Sequence, residues 1–179
     1  MYSGWSPAGF RDGEQAQTWR ARAAGWLTEY VADLDPTEKP AGTERTVGAT
    51  TEALALSGRV DRIDRRGDEL VVVDYKTGRT PSTEDDARSS PALALYVLGV
   101  RRTLRRACSR VELHHLPSGT VAAFEHTDRS LANHVRRAED VAHDITTATE
   151  ALEGGADVDA AFPPVPGQQC SWCDFRSSC

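Results

Sequence analysis

The stretch GRVDRIDRRGDELVVVDYKTG, Gly58 to Gly78, limits what this chain can fold into more than any other. Two β-prone runs flank Gly67-Asp68, and a two-residue loop with glycine first is a favoured hairpin turn. That turn sets a register. With Arg66 opposite Glu69, Arg65 meets Leu70, Ile63 meets Val72, and Asp61 meets Asp74. Carboxylates directly opposed on one face repel, because their Cβ atoms stand about 5 Å apart. Lys76 lies two residues beyond Asp74, so the strand period carries it to the same face. A divalent cation held by oxygen ligands relieves such repulsion. Asp61 and Asp74 are therefore candidate ligands for Mg²⁺ or Mn²⁺ beside a phosphodiester, where the ion polarises a phosphoryl oxygen and lowers the pKa of an attacking water. Lys76 is the candidate for orienting that water or offsetting developing charge. The same residues also suit an ordinary surface hairpin, with Arg59 and Lys76 in salt bridges.

The flanking sequence supplies the rest of a mixed α/β domain. Trp19, Ala23, Trp26, Leu27, Tyr30 and Leu34 recur at helical spacing until DPTEKPAG breaks the pattern. Trp19 and Trp26 share that apolar stripe and are expected in the core. ERTVGAT, EALALSGRVDRI and ELVVVDYKT read as a small antiparallel sheet. Leu93, Tyr96, Val97, Val100 and Leu104 mark a second helix, and RVELHHL and TVAAFEH form a hairpin around Pro117-Ser118-Gly119. A long helix follows, capped by Thr127 or Asp128, with apolar positions Leu131, Val135, Ala138, Ala142, Ile145 and Leu152, and ended by Gly154 and Gly155. At 179 residues the chain is expected to be one compact domain: a helical arm over 1–40, a core over 41–127, and a long helix with a cysteine-rich tail over 128–179.

A net charge of −6 excludes a nucleic-acid binder that works by bulk charge, yet leaves room for a local basic surface. Arg101, Arg102, Arg105 and Arg106 form such a surface on one side of the second helix, either tracking phosphates or making a solvated face balanced by acids. His114 and His115 are adjacent in a strand, point to opposite faces and cannot serve one site. No window approaches a membrane span and the start lacks a signal-peptide layout, so the expected location is cytoplasmic.

Cys170, Cys173 and Cys179 have the spacing C-x2-C-x5-C, which suits Zn²⁺ or an iron–sulfur cluster in a reducing compartment. Either normally takes four ligands. Cys108 is the remaining cysteine, and a buried free thiol is the commoner fate of a lone one. Trp172, inside the cysteine loop, is expected to shield a cluster from solvent.

GRVDRID followed by VVVDYKTG resembles the core motif of RecB-type nucleases within the PD-(D/E)xK superfamily, and the resemblance extends from about Trp19 to Cys179. It implies a restriction-endonuclease-like core, a mixed central sheet flanked by helices, with a C-terminal cysteine-rich tail. By position it implies Asp61 and Asp74 as metal-binding acids, the Tyr75 backbone carbonyl as a further ligand, and Lys76 as the catalytic lysine. It also implies Tyr96 as a DNA contact, and Cys170, Cys173 and Cys179 as ligands of a [4Fe-4S] cluster joined by a fourth, upstream cysteine. Glu44 falls where an acid often begins the first strand and reads as structural. The chain departs from the pattern in three places: no histidine precedes His114, Ala92 stands where the family has glutamine, and no cysteine precedes Cys108. The missing histidine and cysteine together imply a lost N-terminal segment.

The implied activity is metal-dependent exonuclease action on single-stranded DNA ends in repair or recombination. A GxxxxGK[ST] loop is absent, so ATP-driven unwinding would need a separate helicase. Two alternatives remain open: a catalytically weakened nucleic-acid-binding module, and a zinc-tailed interaction protein.

Overall fold

The computed structural model describes residues 4–51 and 53–177. Helix α1 (Gly13–Ala32) begins where the Asp12 carboxylate accepts the Gln15 N–H at 2.7 Å, satisfying an amide the helix leaves unpaired. Five strands follow in one sheet, in the order β1 (Gly42–Thr50), β2 (Ala55–Arg66), β3 (Glu69–Lys76), β4 (Cys108–His115) and β5 (Thr120–Glu125). All neighbours are antiparallel except β3 and β4, which are parallel. A parallel pair needs a crossover, and helices α2 (Glu84–Ser89) and α3 (Pro91–Leu104) provide it. The antiparallel sheet expected from the first three β-like runs is thus the first half of a larger mixed sheet.

The β2–β3 turn forms as its residues require. Gly67 adopts φ 62, in the region where only glycine sits without strain, and Arg66 pairs with Glu69. The same device serves β4–β5, where Gly119 has φ 66. Helix α3 starts at Ser90, whose hydroxyl accepts the Leu93 N–H, with Pro91 in its first turn. Leu93, Ala94, Val97 and Val100 then recur every three to four residues and bury against Val60, Ile63, Leu70, Val72, Val111 and Leu113. The helix lies close to β1 because residue 99 has no side chain: a Cβ there would fall 2.8 Å from Val47 Cγ2.

Helix α1 corrects an expectation. Only Ala16 is buried along it; Trp19 is 39% exposed and Trp26 half-buried, the two stacking edge to face at 6.2 Å with the Arg22 guanidinium over Trp19. These tryptophans do not build the core. The cause lies on the sheet face that α1 approaches, which carries Arg62, Asp64, Arg110, Glu112 and His114, so the helix meets it through a polar tip: Tyr30 Oη lies 2.9 Å from His114 Nδ1.

Two compact units divide the chain at Val135 and Arg136. The first holds the sheet, α1 to α3 and the opening turns of α4 (Asp128–Glu153), where Thr127 Oγ1 accepts the Ser130 N–H. The second holds the remainder of α4, the short α5 (Val158–Ala161) and a 3-10 turn, Gln168–Trp172. Leu131 and His134 are the buried residues of α4, whereas Ile145 and Leu152, expected on its apolar stripe, are exposed. Gly155, at φ 91, follows its end. No described helix is long and apolar enough to cross a membrane.

Candidate active site

The C-terminal end of β3 carries Asp74 and Lys76 on the face that packs against α3. Asp74 Oδ2 lies 2.7 Å from Lys76 Nζ, with the acid mostly buried, its side chain 19% exposed, and the lysine half-exposed. That oxygen is fully buried and makes no hydrogen bond of acceptable geometry, so the ion pair alone compensates it. Asp74 and Lys76 open onto a cavity of about 500 Å³, whose walls include Thr80, Ser82, Asp86, Ser90, Ala92 and Tyr96.

Asp61 is placed differently from the simple hairpin geometry. The β2–β3 ladder follows the expected register from Arg66 and Glu69 to Arg62 and Val73. One step further, the Asp61 side chain takes over: its Oδ2 accepts the Tyr75 N–H at 3.0 Å, as a strand carbonyl otherwise would. Asp61 thus grips the peptide that joins Asp74 to Tyr75, beside Asp74 rather than on the cavity wall. The reason is a kink in the neighbouring pair. Pairing of β1 with β2 skips from Thr43–Arg62 to Arg45–Val60, Glu44 between them has φ 47, and both Val60 and Ile63 enter the core. Period-two alternation fails at Asp61.

A buried carboxylate oxygen without a hydrogen bond is an acceptor suited to a cation. Mg²⁺ is commonly held by one or two carboxylates, with water and substrate phosphate completing the shell. Asp74 and Asp61 supply that number. Among the described residues no group of three His, Cys, Asp or Glu side chains is placed to hold a metal. The donor set therefore fits a hydrated hard cation rather than an all-protein cage. The Tyr75 ring faces the opposite side of the sheet, edge-on to Tyr30 at 5.5 Å and to His114 at 6.3 Å.

Of the expected DNA contacts, the structure brings only Tyr96 to the cavity. Arg101 and Arg102 lie at the other end of α3, about 13 Å along the axis from Ala92. Arg101 donates to the Cys108 carbonyl at 2.6 Å and pairs with Asp128 at 2.9 Å, and Arg102 donates to Thr50 Oγ1 at 3.1 Å. Arg105 has left the helical row: it is the C-cap, at φ 52, and Arg106 follows it. Glu44 is exposed and paired with Arg59 at 3.0 Å.

Several residues of the site escaped sequence reading. Helix α2 and the wall from Thr80 to Ser90 come from TPSTEDDARSS, whose signal is a capping box: Thr83 Oγ1 accepts the Asp86 N–H while Asp86 Oδ2 accepts the Thr83 N–H at 2.7 Å. The adjacent histidines do point to opposite faces, and each has a structural task. His115 Nε2–H donates to the Gly78 carbonyl at 2.8 Å, pinning the loop just past Lys76. His114 links Tyr30 to Glu112, its Nε2 lying 3.0 Å from Glu112 Oε2. Glu112 is buried, and its hydrogen bond from His114, followed by those from Arg110 and the charge of Arg66, pulls its carboxyl down to about 2.

The cysteine run gives a poorer fit to its expected group. Cys170 is exposed and Cys173 partly buried, and Cys179 lies outside the described residues. Cys108 is buried at the start of β4 in the other unit, and desolvation pushes its thiol up to about 12, so it stays a neutral core side chain. Trp172 does not shield the loop: it is 71% exposed. The described residues hold three free thiols, one of them this buried Cys108, and so do not supply the four thiolates of a cluster.

The sequence profile of the PD-(D/E)XK nuclease superfamily matches residues 4–179. The chain belongs to this superfamily. Its five-stranded mixed sheet flanked by helices is the α/β, restriction-endonuclease-like fold. No curated protein sequence matches it. Among solved structures it is similar to SSO0001, at 19% identity and a TM-score of 0.43, with 93% of this chain and 72% of that one covered. It is also similar to a Eubacterium rectale protein described as a "putative exonuclease", at 12% identity and a TM-score of 0.39, covering 92% of this chain and 59% of that one.

Proposed function

We propose that this nuclease-superfamily chain hydrolyses DNA phosphodiesters with Mg²⁺ or Mn²⁺, as an exonuclease on single-stranded ends in repair or recombination. The observation that carries the reading is the buried, hydrogen-bond-free Asp74 Oδ2 beside Lys76 on the wall of an open cavity. Asp74, Asp61 and the Tyr75 carbonyl would hold the ion, which when bound supplies Lewis acidity and a water of lowered pKa. The protein's own groups do the rest. Asp61 fixes the Asp74–Tyr75 peptide through the Tyr75 N–H, and so fixes the direction in which Asp74 is presented. Lys76, half-exposed, offers a cation to the scissile phosphate, where it offsets charge gathering on the phosphoryl oxygens. Unwinding of a duplex would come from a separate helicase.

Oligonucleotides labelled at the 5′ or the 3′ end and incubated with Mn²⁺ test the reading. Cleavage is expected, with its polarity set by which label is released first, and loss of at least a hundredfold in Asp74→Ala and Lys76→Ala. Two observations favour a second reading, a binding module of weakened activity: Asp61 is engaged by backbone, and Ala92 lines the cavity where the family has glutamine. Binding without cleavage in the unaltered chain would establish that module instead.

A further inference from the structure

We infer that an apolar pocket beside the Asp74 cavity receives one unpaired nucleobase of the substrate strand, so that the fold itself selects single-stranded over duplex DNA. The inference rests on reading the Asp74–Lys76 cavity as the phosphate site. The second pocket, of about 210 Å³, lies between the β1–β2 hairpin and the start of α3. Val47, Ala49, Leu56 and Leu95 make it apolar, and Ser57 contributes a hydroxyl. Among the described residues no carboxylate, lysine, arginine or histidine lines it. Such a lining has nothing to offer a phosphate, but it suits a flat group with apolar faces and a polar edge.

Ala92 and Tyr96 belong to the walls of both cavities, so the two open on either side of one helical turn. A strand laid with a phosphate at Lys76 therefore has the apolar pocket as the adjoining space for the base of a neighbouring nucleotide. Tyr96 is the divider, and its ring is seated on the β2 backbone at Gly58: a Cβ there would overlap Tyr96 Cε1. A glycine on β2 thus lets the ring sit where both pockets share it. Base–aromatic contact is tolerant of sequence, because every base has a π face. A base inside a duplex is paired at its edge and stacked on both faces, and it enters only after that stacking is undone. Selection for an unpaired nucleotide follows without any base-specific hydrogen bond.

The test is an abasic scan of a short single-stranded oligonucleotide, read by fluorescence anisotropy with Ca²⁺ in place of Mg²⁺, on the full unaltered chain. Removing the base at one position is expected to weaken binding about tenfold, with the other positions within twofold. In Ala49→Leu, which fills the pocket, the intact strand should bind as weakly as that abasic strand, the abasic penalty should vanish, and the preference for single strand over duplex should fall by the same factor. A flat scan, absence of binding, or an abasic penalty of the same size in a folded Ala49→Leu chain would each overturn the inference. Should that variant misfold, the scan on the unaltered chain decides alone. The nuclease reading fails separately: no Mn²⁺-dependent cleavage beside a one-position abasic penalty removes the enzyme and keeps the pocket, whereas cleavage beside a flat scan does the reverse.

Discussion

Asp74 is held at a cost. Its Oδ2 is buried without a hydrogen bond, and the partner that compensates it, Lys76, is half in solvent. An ion pair with one exposed partner returns at most about 1 kcal/mol, while a charged group without full hydrogen bonding is penalised by burial. Asp74→Asn should therefore leave the melting temperature unchanged or raise it while abolishing cleavage, as circular-dichroism melts and a Mn²⁺ assay would show. A fall of more than several degrees would mean that Asp74 serves the fold rather than the chemistry. Gly58 makes the complementary case. Replacing it with alanine forces the Tyr96 ring off the β2 backbone and into one of the two pockets it divides. Because Tyr96 is only half-buried, the chain should still fold. Its affinity for single-stranded oligonucleotide should drop at least several-fold, measured by anisotropy beside an unchanged far-ultraviolet spectrum.

At the level of elements, what could be read in the sequence was what local chemistry decides. Gly67-Asp68 fixed the β2–β3 register because a glycine with positive φ leaves few ways to turn. The apolar spacing of α3 showed its buried face for the same kind of reason. Non-local decisions were hidden. Nothing in RVELHHL says that β4 lies parallel to β3, because that choice depends on the crossover through α2 and α3. The tryptophans of α1 carried a core signal, yet the sheet face opposite is charged. Asp61 was found by spacing, but its turn toward the Tyr75 N–H depends on a kink at Glu44 in another strand. Helix α2 is the element whose signal was present and unread, and its capping box makes it testable. Thr83→Ala removes the hydroxyl that accepts the Asp86 N–H at the helix start. Hydrogen exchange should then speed up across residues 84–89 while the amides of β2 and β3 keep their protection. Equal acceleration in both would show that α2 is not a separable unit.

Across the first compact unit as a whole, one polar network joins elements that are distant in sequence. Glu112 on β4 accepts from Arg110 and, 46 residues away, from Arg66 on β2, and it contacts His114, which reaches Tyr30 on α1. Its carboxyl, ordinarily near 4.5, is held at about 2 in the fold, so the ionised form is the one the fold favours. That contribution is complete above about pH 4.5 and drains away as pH falls toward 2. His126 adds an earlier stage. Burial, then the nearby His134 and Arg101, lowers it from 6.5 to about 4, so the fold favours the neutral ring; its contribution is complete above pH 6.5 and is lost between there and pH 4. Each difference of about 2.5 pH units corresponds to roughly 3 kcal/mol. Urea midpoints are accordingly expected to decline in two stages as the solution is acidified, first from pH 6.5 to 4 and then below 4.5. His126→Phe isolates the first stage, because His126 Nε2 is buried without a partner and Ser130 keeps its bond to the Thr127 carbonyl. The midpoint of this variant should be nearly flat from pH 6.5 to 4.5 and should fall only below that. Glu112→Gln should remove the lower stage and lower the midpoint at pH 7, since Arg66 and Arg110 then lose their buried counter-charge. A single stage shared by all three proteins would show that acid acts elsewhere in the chain.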